Sequence, residues 1–490
     1  MHYDMLLRRM EDGMSNQVPA GGGDDRDAFT IVRLPHHVRE MNRGLYEPVM
    51  VSVGPYHMSS ASTRAMQARK WPMLRDFLLR GDPDGRAGLL ADCLKAARRM
   101  EQRARRCYGE SLDQAAGGGS DDFVGMLVLD GCFVLQFLLQ WSESDARCMQ
   151  GTSTYVYYDL LLVENQMPYF VLAKLFNLVM GNGNAVDDAD QGLLHLISSF
   201  FSLREPLGMV PLPPPAPELA GQFAEVYHLL HLQYQRIVMS PERRRIRRLT
   251  GLGASLHRIP VSLGSFRRTR ANQARTPLAM PCVTVLQEFG VRFKEKPSPA
   301  SQFDVTFRGG TMEIPRLVIN GGTRILLANL FALEQTKDCW NEGTMTGYLV
   351  LMNALVNTGA DVAVLQRHGI LDNMLSNEEE AAAFFNQLGG SALFDPRTHR
   401  YPGETPVYRV LLLLLPLATR EKAATTRYAR LFKDTNDFCD SRWNRYMAVL
   451  KRDHLRTPCS IINLLVAAIL LFVSVISAGY VICRYRHSCT

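Results

Sequence analysis

Apolar positions recur mostly at helical spacing. Met66 to Arg80 and Leu89 to Tyr108 each read as an amphipathic helix, the second with a dense basic face of Lys95, Arg98, Arg99, Arg103, Arg105 and Arg106. Phe123 to Trp141 is apolar with one charge, Asp130, and its length raises the question of a membrane span. A charge at the centre of a span costs roughly 2.5 to 3.5 kcal/mol, and Gly125 and Gly131 weaken a helix further, so a buried core helix is expected. Tyr155 to Met180 is a second apolar helical stretch, interrupted by Glu164-Asn165-Gln166 and Pro168, and Glu218 to Met239 reads as another helix. Val49 to His57 is a short β-type run ended by Gly54 and Pro55. From Val283 to Leu330 the period changes. Phe303 to Phe307, Met312 to Ile319 and Thr323 to Leu330 are short runs separated by glycine pairs, the punctuation of a small antiparallel sheet. Helices resume at Gly347 to His368, Glu378 to Gln387 and Thr426 to Lys451. The expected fold class is mainly α with a small antiparallel β-sheet.

The C-terminus differs in kind. Residues 457–483 carry no charge and are rich in Leu, Ile, Val and Ala, long enough at 1.5 Å per residue to cross a hydrocarbon core of about 30 Å. This predicts a single transmembrane helix followed by a short tail, 484–490. Met1 to Met10 has no apolar signal core, so insertion as a tail anchor is expected, with the globular part in the cytosol. Basic residues flank the span on both sides (Lys451, Arg452 and Arg456 before it, Arg484 and Arg486 after), and barely engage the positive-inside rule.

Composition narrows the classes without naming a reaction. The chain has 490 residues, a prior for roughly three domains. Forty-seven percent hydrophobic and 21% charged residues exclude a disordered or collagen-like chain. The net charge of +7 is local: between Ser240 and Arg275 ten arginines face one acid, Glu242. That distribution is no argument for nucleic-acid binding. Ten scattered cysteines without a Cys-x-x-Cys pair read as reduced thiols. Residues 1–28 are expected to be a disordered leader, and 114–122, 206–217 and 240–275 flexible linkers. The proline-rich 206–217 holds a PxxP spacing that reads as a spacer before it reads as a ligand.

Candidate chemistry is sparse. There is no Gly-x-Ser-x-Gly elbow, P-loop, GxGxxG or His-Glu-x-x-His. Glu225, His228 and His231 lie three apart on an expected helix, but a di-iron bundle needs a second such motif and further inward glutamates, so an ordinary helix face is expected. No cofactor is expected. Asp130, Glu164, Asn165 and Gln166 sit inside apolar runs, where buried polar groups need partners. They form either a structural hydrogen-bond network or, in the alternative, the carboxylate of a membrane-tethered hydrolase or transferase built on Asp130 or Glu164. Arg243, Arg244, Arg245, Arg247 and Arg248 are a candidate contact with anionic lipid, against the plainer reading of a solvated loop. Thr250 lies where phosphorylation would weaken such a contact.

Five blocks carry a resemblance: Ile31 to His57, Leu127 to Leu138, Tyr158 to Phe176, Met312 to Gln335, and the terminal stretch from Trp443. In order, they resemble the plant family called domain of unknown function 247. Gln67, Arg324 and Cys459 depart from the family pattern, which usually has Glu, often an acid, and Trp there. The resemblance implies one integrated, mainly helical domain over 29–456 and a C-terminal membrane helix, and replaces the three-domain prior. It carries no established enzymatic activity. Some grass members are implicated in pollen self-incompatibility, so the expectation is a plasma-membrane interaction, recognition or signalling protein with an unknown protein partner.

Overall fold

The computed structural model describes residues 30–81, 86–108, 119–143, 152–181, 186–203, 226–238, 280–336, 344–390, 424–454 and 458–488. These fall into two compact units, one drawn from 1–205, 212–259 and 325–337, the other from 206–211, 260–324 and 338–490. The leader, the linkers at 206–217 and 240–275, and with them all five candidate arginines and Glu225, lie outside the described residues.

The first unit contains α1 (His36–Met41), α2 (Arg43–Tyr46), α3 (Arg64–Gly81), α4 (Arg86–Arg106), α5 (Ser120–Glu143), α6 (Thr152–Asp159), α7 (Tyr169–Met180), α8 (Val186–Leu203) and α9 (Leu229–Ile237). Helix α5 is the apolar run that could pass for a span, and it is the core: α3, α4, α7 and α8 pack around it and its side chains are buried almost throughout. Gly131 lets α7 approach, since a Cβ there would meet Leu175 Cδ1 at 2.5 Å. Near its C-terminal end Trp141, Tyr157 and Phe200 stack edge-on or tilted, with ring centroids as close as 5.2 Å. The expected linker 114–122 yields Ser120, Asp121 and Asp122 to α5, whose N-terminal dipole favours acids in the first turn. Helix α8 was not legible in the sequence pattern, and α9 begins only at Leu229, after His228 as its N-cap.

The second unit holds α10 (Val283–Glu288), β1 (Arg292–Glu295), β2 (Thr306–Arg308), β3 (Thr311–Ile314), β4 (Leu317–Ile319), the start of α11 (Gly321–Thr336), α12 (Thr344–Leu355), α13 (Gly359–Arg367), β5 (Leu371–Asn373), α14 (Glu378–Gly390), α15 (Ala424–Asp440), α16 (Arg442–His454) and α17 (Pro458–Ser488). The antiparallel expectation holds for β2 and β3, joined through Gly309 and Gly310, both at positive φ as a tight hairpin turn requires. It fails elsewhere: β1 pairs with β3 and β4 with β5 in parallel. Thr323 to Leu330 is not a strand. The Asn320 side chain accepts from Thr323 N at 2.9 Å and starts α11, a buried helix whose short apolar run has no period to distinguish it from a buried strand.

Two expected helices are each two. Gly347 to His368 breaks after Leu355 and turns by 102° into α13. Thr358 and Asp361 form a capping box there. Asp361 accepts from the Thr284 N–H and hydroxyl at 3.0 and 2.8 Å and from the Asn357 and Thr358 N–H groups at 3.1 and 3.0 Å. Burial alone pushes this carboxyl up, but the donors from Thr284, Thr358 and Cys282 outweigh it and hold it below the ordinary aspartate range. Thr426 to Lys451 likewise breaks at Ser441, whose Oγ accepts from Asn444 N. Cys93, Cys107, Cys132, Cys282 and Cys439 form no disulfide among the described residues.

Candidate functional site

The β-type run at Val49 to His57 is not a strand: bends at 49–50 and 54–55 flank the irregular stretch 51–53, and a turn begins at Tyr56. Val51, Ser52 and Val53 are buried, so their backbone groups need partners from elsewhere. Side chains supply them. Asp159, the last residue of α6, accepts from the N–H groups of Val49, Met50 and Val51 at 3.0, 2.7 and 2.8 Å. Asn165 accepts from Val53 N at 2.7 Å while its amide donates to Val51 O at 3.0 Å and Asp159 O at 2.9 Å. Asp130, in the middle of α5, accepts from Gly54 N at 2.9 Å. Lys70 Nζ, from α3, donates to Ser52 O at 2.6 Å and to Asp130 Oδ1 at 2.5 Å. Gln67 Nε2 reaches Ser52 Oγ, which gives this departure from the family pattern a neutral hydrogen bond where a glutamate would bring charge.

Gln166 closes the far side. Its amide donates to the carbonyls of Leu160 and Leu162, both at 2.8 Å, and its Oε1 accepts from Leu230 N at 3.1 Å, tying the 160–168 loop to α9. Its backbone carbonyl accepts from the Tyr108 hydroxyl at 3.3 Å and crowds Gly54, whose φ of +77° and lack of a Cβ allow the approach. Asn329 of α11 adds a further tie, accepting from Val163 N and donating to Leu45 O.

Of the four polar residues singled out from sequence, Asp130 and Asn165 thus bond to one irregular segment, and Gln166 lies against it through its backbone carbonyl. Glu164 turns elsewhere. Its Oε1 accepts from Leu34 N at 2.6 Å, and its Oε2, fully buried, faces His57 Nε2 at 3.3 Å and Arg39 at 3.7 Å without a hydrogen bond of good geometry. Burial pushes the carboxyls of both Asp130 and Asp159 up. The Lys70 charge and Gly54 N–H oppose this at Asp130, and the N–H groups of Val49, Val51 and Met50 oppose it at Asp159. Every carboxylate oxygen of Asp130 and Asp159 accepts a hydrogen bond, whereas Glu164 Oε2 is held by the ion pairs with His57 and Arg39 alone.

Asp159, Lys70 and Asn329 were not singled out from the sequence. Asp159 and Asn329 carry the same signal as Glu164, a polar residue inside an apolar run; Lys70 carries none, since it reads as a surface position of an amphipathic helix. His228 and His231 are buried rather than on an open helix face. His228 Nδ1 accepts from His231 N, and Gln235 Nε2 lies 3.1 Å from His231 Nε2. No group of three or more His, Cys, Asp or Glu side chains converges as metal ligands among the described residues.

A family model described as a plant protein of unknown function, domain of unknown function 247, matches residues 31–473. The chain belongs to this family. The domain of unknown function 247 thereby spans the whole network just described. The chain is similar to UPF0481 protein At3g47200 of Arabidopsis thaliana, with 22% identity covering 94% of this chain and 87% of that one. It is also similar to Putative UPF0481 protein At3g02645 of the same plant, with 24% identity over 74% and 78%. No solved structure matches.

Proposed function

We propose that the protein is an interaction or recognition protein anchored in the plasma membrane by α17, with its helical units in the cytosol. One observation carries the anchor: between Leu465 and Tyr480 the apolar side chains of α17 are exposed on every side, Leu471 at 70% and Phe472 at 66%. Among the described residues no apolar surface covers these side chains, and a bilayer would. Its uncharged stretch from Pro458 to Cys483 is about 39 Å long as helix, against a hydrocarbon core of about 30 Å. The interaction reading is supported by how the buried polar groups are used. Asp130, Asp159, Asn165 and Gln166 all bond to backbone, the work of a scaffold.

The test is a tag on Met1 in sealed vesicles, with alkaline carbonate extraction alongside. Cytosolic protease access and retention in the carbonate pellet are expected, and deletion of 457–490 should release the chain. A protected tag reverses the orientation; release of the full chain removes the anchor.

A second reading, a membrane-tethered hydrolase or transferase, draws on Glu164, whose buried Oε2 lies beside His57 and Arg39 without a hydrogen bond. Turnover of any hydrolase or transferase substrate that Glu164→Gln abolishes would establish it. The arginines from 243 to 248 remain a proposed contact with anionic lipid, supported by their charge density and by the anchor that brings the chain to a membrane.

A further inference from the structure

Outside α17, exposed large apolar side chains among the described residues are mostly single: Val49, Trp71, Leu94, Tyr155 and Met374 sit on separate segments. Helix α16 is the exception. Trp443 is 73% exposed, Tyr446 71% and Val449 46%, and their spacing of three places them in one slanting stripe. The opposite side is committed to the fold, with Ala448 buried and Asn444 Nδ2 donating to Phe438 O at 2.7 Å. Arg442, Arg445 and Arg452 border the stripe, with Arg445 also paired to Asp440 at 2.7 Å, and the helix itself holds one acid, Asp453.

We infer that α16 lies along the bilayer interface, with Trp443, Tyr446 and Val449 in the boundary between headgroups and acyl chains and the basic residues among anionic headgroups. The inference rests on α17 being the membrane span. Three residues separate His454 from Pro458, so the end of α16 lies within about 15 Å of the start of α17, and α16 itself is only about 20 Å long. The whole stripe is therefore confined near the point where the chain enters the bilayer. Trp and Tyr concentrate at that depth because their rings are apolar while the indole N–H and the phenol stay hydrated. An apolar face bordered by arginine fits a negatively charged lipid surface. A protein partner would have to seat itself within this same narrow zone.

The experiment uses the full chain in phosphatidylcholine vesicles containing phosphatidylserine, with and without Trp443→Phe, an exposed and conservative change. The tryptophan emission that this variant removes should be quenched by lipids brominated near the headgroup end of the acyl chain, and less by lipids brominated deep in it. Carbonate extraction of the same vesicles reads the span separately. If the chain resists carbonate and the Trp443 emission ignores shallow bromolipid, the interfacial helix is overturned while the span stands; a protein-facing stripe would give this result. If carbonate releases the chain, the span reading fails. Quenching of Trp443 in those vesicles before extraction would then support an interfacial helix acting alone, and no quenching would overturn both.

Discussion

The ammonium of Lys70 lies 2.5 Å from Oδ1 of Asp130, and both side chains are sealed from water. Two charges are tolerated there because each also holds backbone, Lys70 the carbonyl of Ser52 and Asp130 the N–H of Gly54. Removing one partner strands the other. Lys70→Met should lower the unfolding free energy by about 3 to 5 kcal/mol, and Lys70→Met combined with Asp130→Leu by less. Denaturant titrations of the two variants check the order; equal or additive losses would place the two charges in independent roles.

Gly54→Ala should be costly for two reasons that act together. A φ of +77° costs a side-chain-bearing residue about 1 to 3 kcal/mol, and the new Cβ would stand 2.5 Å from Gln166 O, a backbone atom with little room to move. Gly88→Ala is the control: it lies in α4 with open space around it and should stabilise by about 0.5 to 1 kcal/mol. Melting temperatures that fall for the first and rise for the second fit this geometry.

Asp361 should make the chain acid-sensitive. Its folded carboxyl is held below the unfolded value of about 3.9, so its stabilisation is fully present above that pH and drains away as pH falls through the lower folded value. Asp361→Asn, which turns an amide toward N–H donors, should cost about 1 to 3 kcal/mol at neutral pH. The gap between wild type and variant should close below pH of about 3.9, as read from urea midpoints across acid pH. A gap that is constant with pH would exclude Asp361 as the titrating group.

Replacing Arg243, Arg244, Arg245, Arg247 and Arg248 by glutamate should leave the melting temperature nearly unchanged, because this segment has too little apolar content for a core. The same change should reduce the salt-sensitive part of binding to phosphatidylserine vesicles, which weakens as the screening length contracts below about 8 Å. Binding indifferent to the substitution would leave the arginines solvated.

Periodicity sufficed for α3 and α4, where polar and apolar residues alternate over four or more turns, while α5 was legible from its apolar length and its one central charge. It failed where helices are short or buried on all sides. The α11 run reads equally as strand, and the Asn320 cap that decides the matter resembles a turn. Thr358 and Ser441 are also caps inside longer helical patterns, visible once one asks where an N–H would find an acceptor. Strand direction depends on which distant segments meet, so the parallel pairing of β1 with β3 left no local trace. The polar network was half legible. Buried polar residues in apolar runs announce themselves, whereas Lys70 and Gly54 acquire their roles only from what folds against them.

The irregular segment near residue 50 has no neighbouring strand to lean on, and the side chains that hold its N–H groups arrive later in synthesis. Asp159 follows Val51 by 108 residues, and Asn329, which secures Leu45, follows it by 284. Each of these closures orders a long loop of chain. Synthesis runs from the N-terminus, so α3 and α4 can pack on α5 while the stretch ahead of them still waits for its acceptors. Seen from the ribosome, this early stretch waits on residues made long after it, and a chain cut short before Asn329 would leave the Leu45 carbonyl and the Val163 N–H without that side chain.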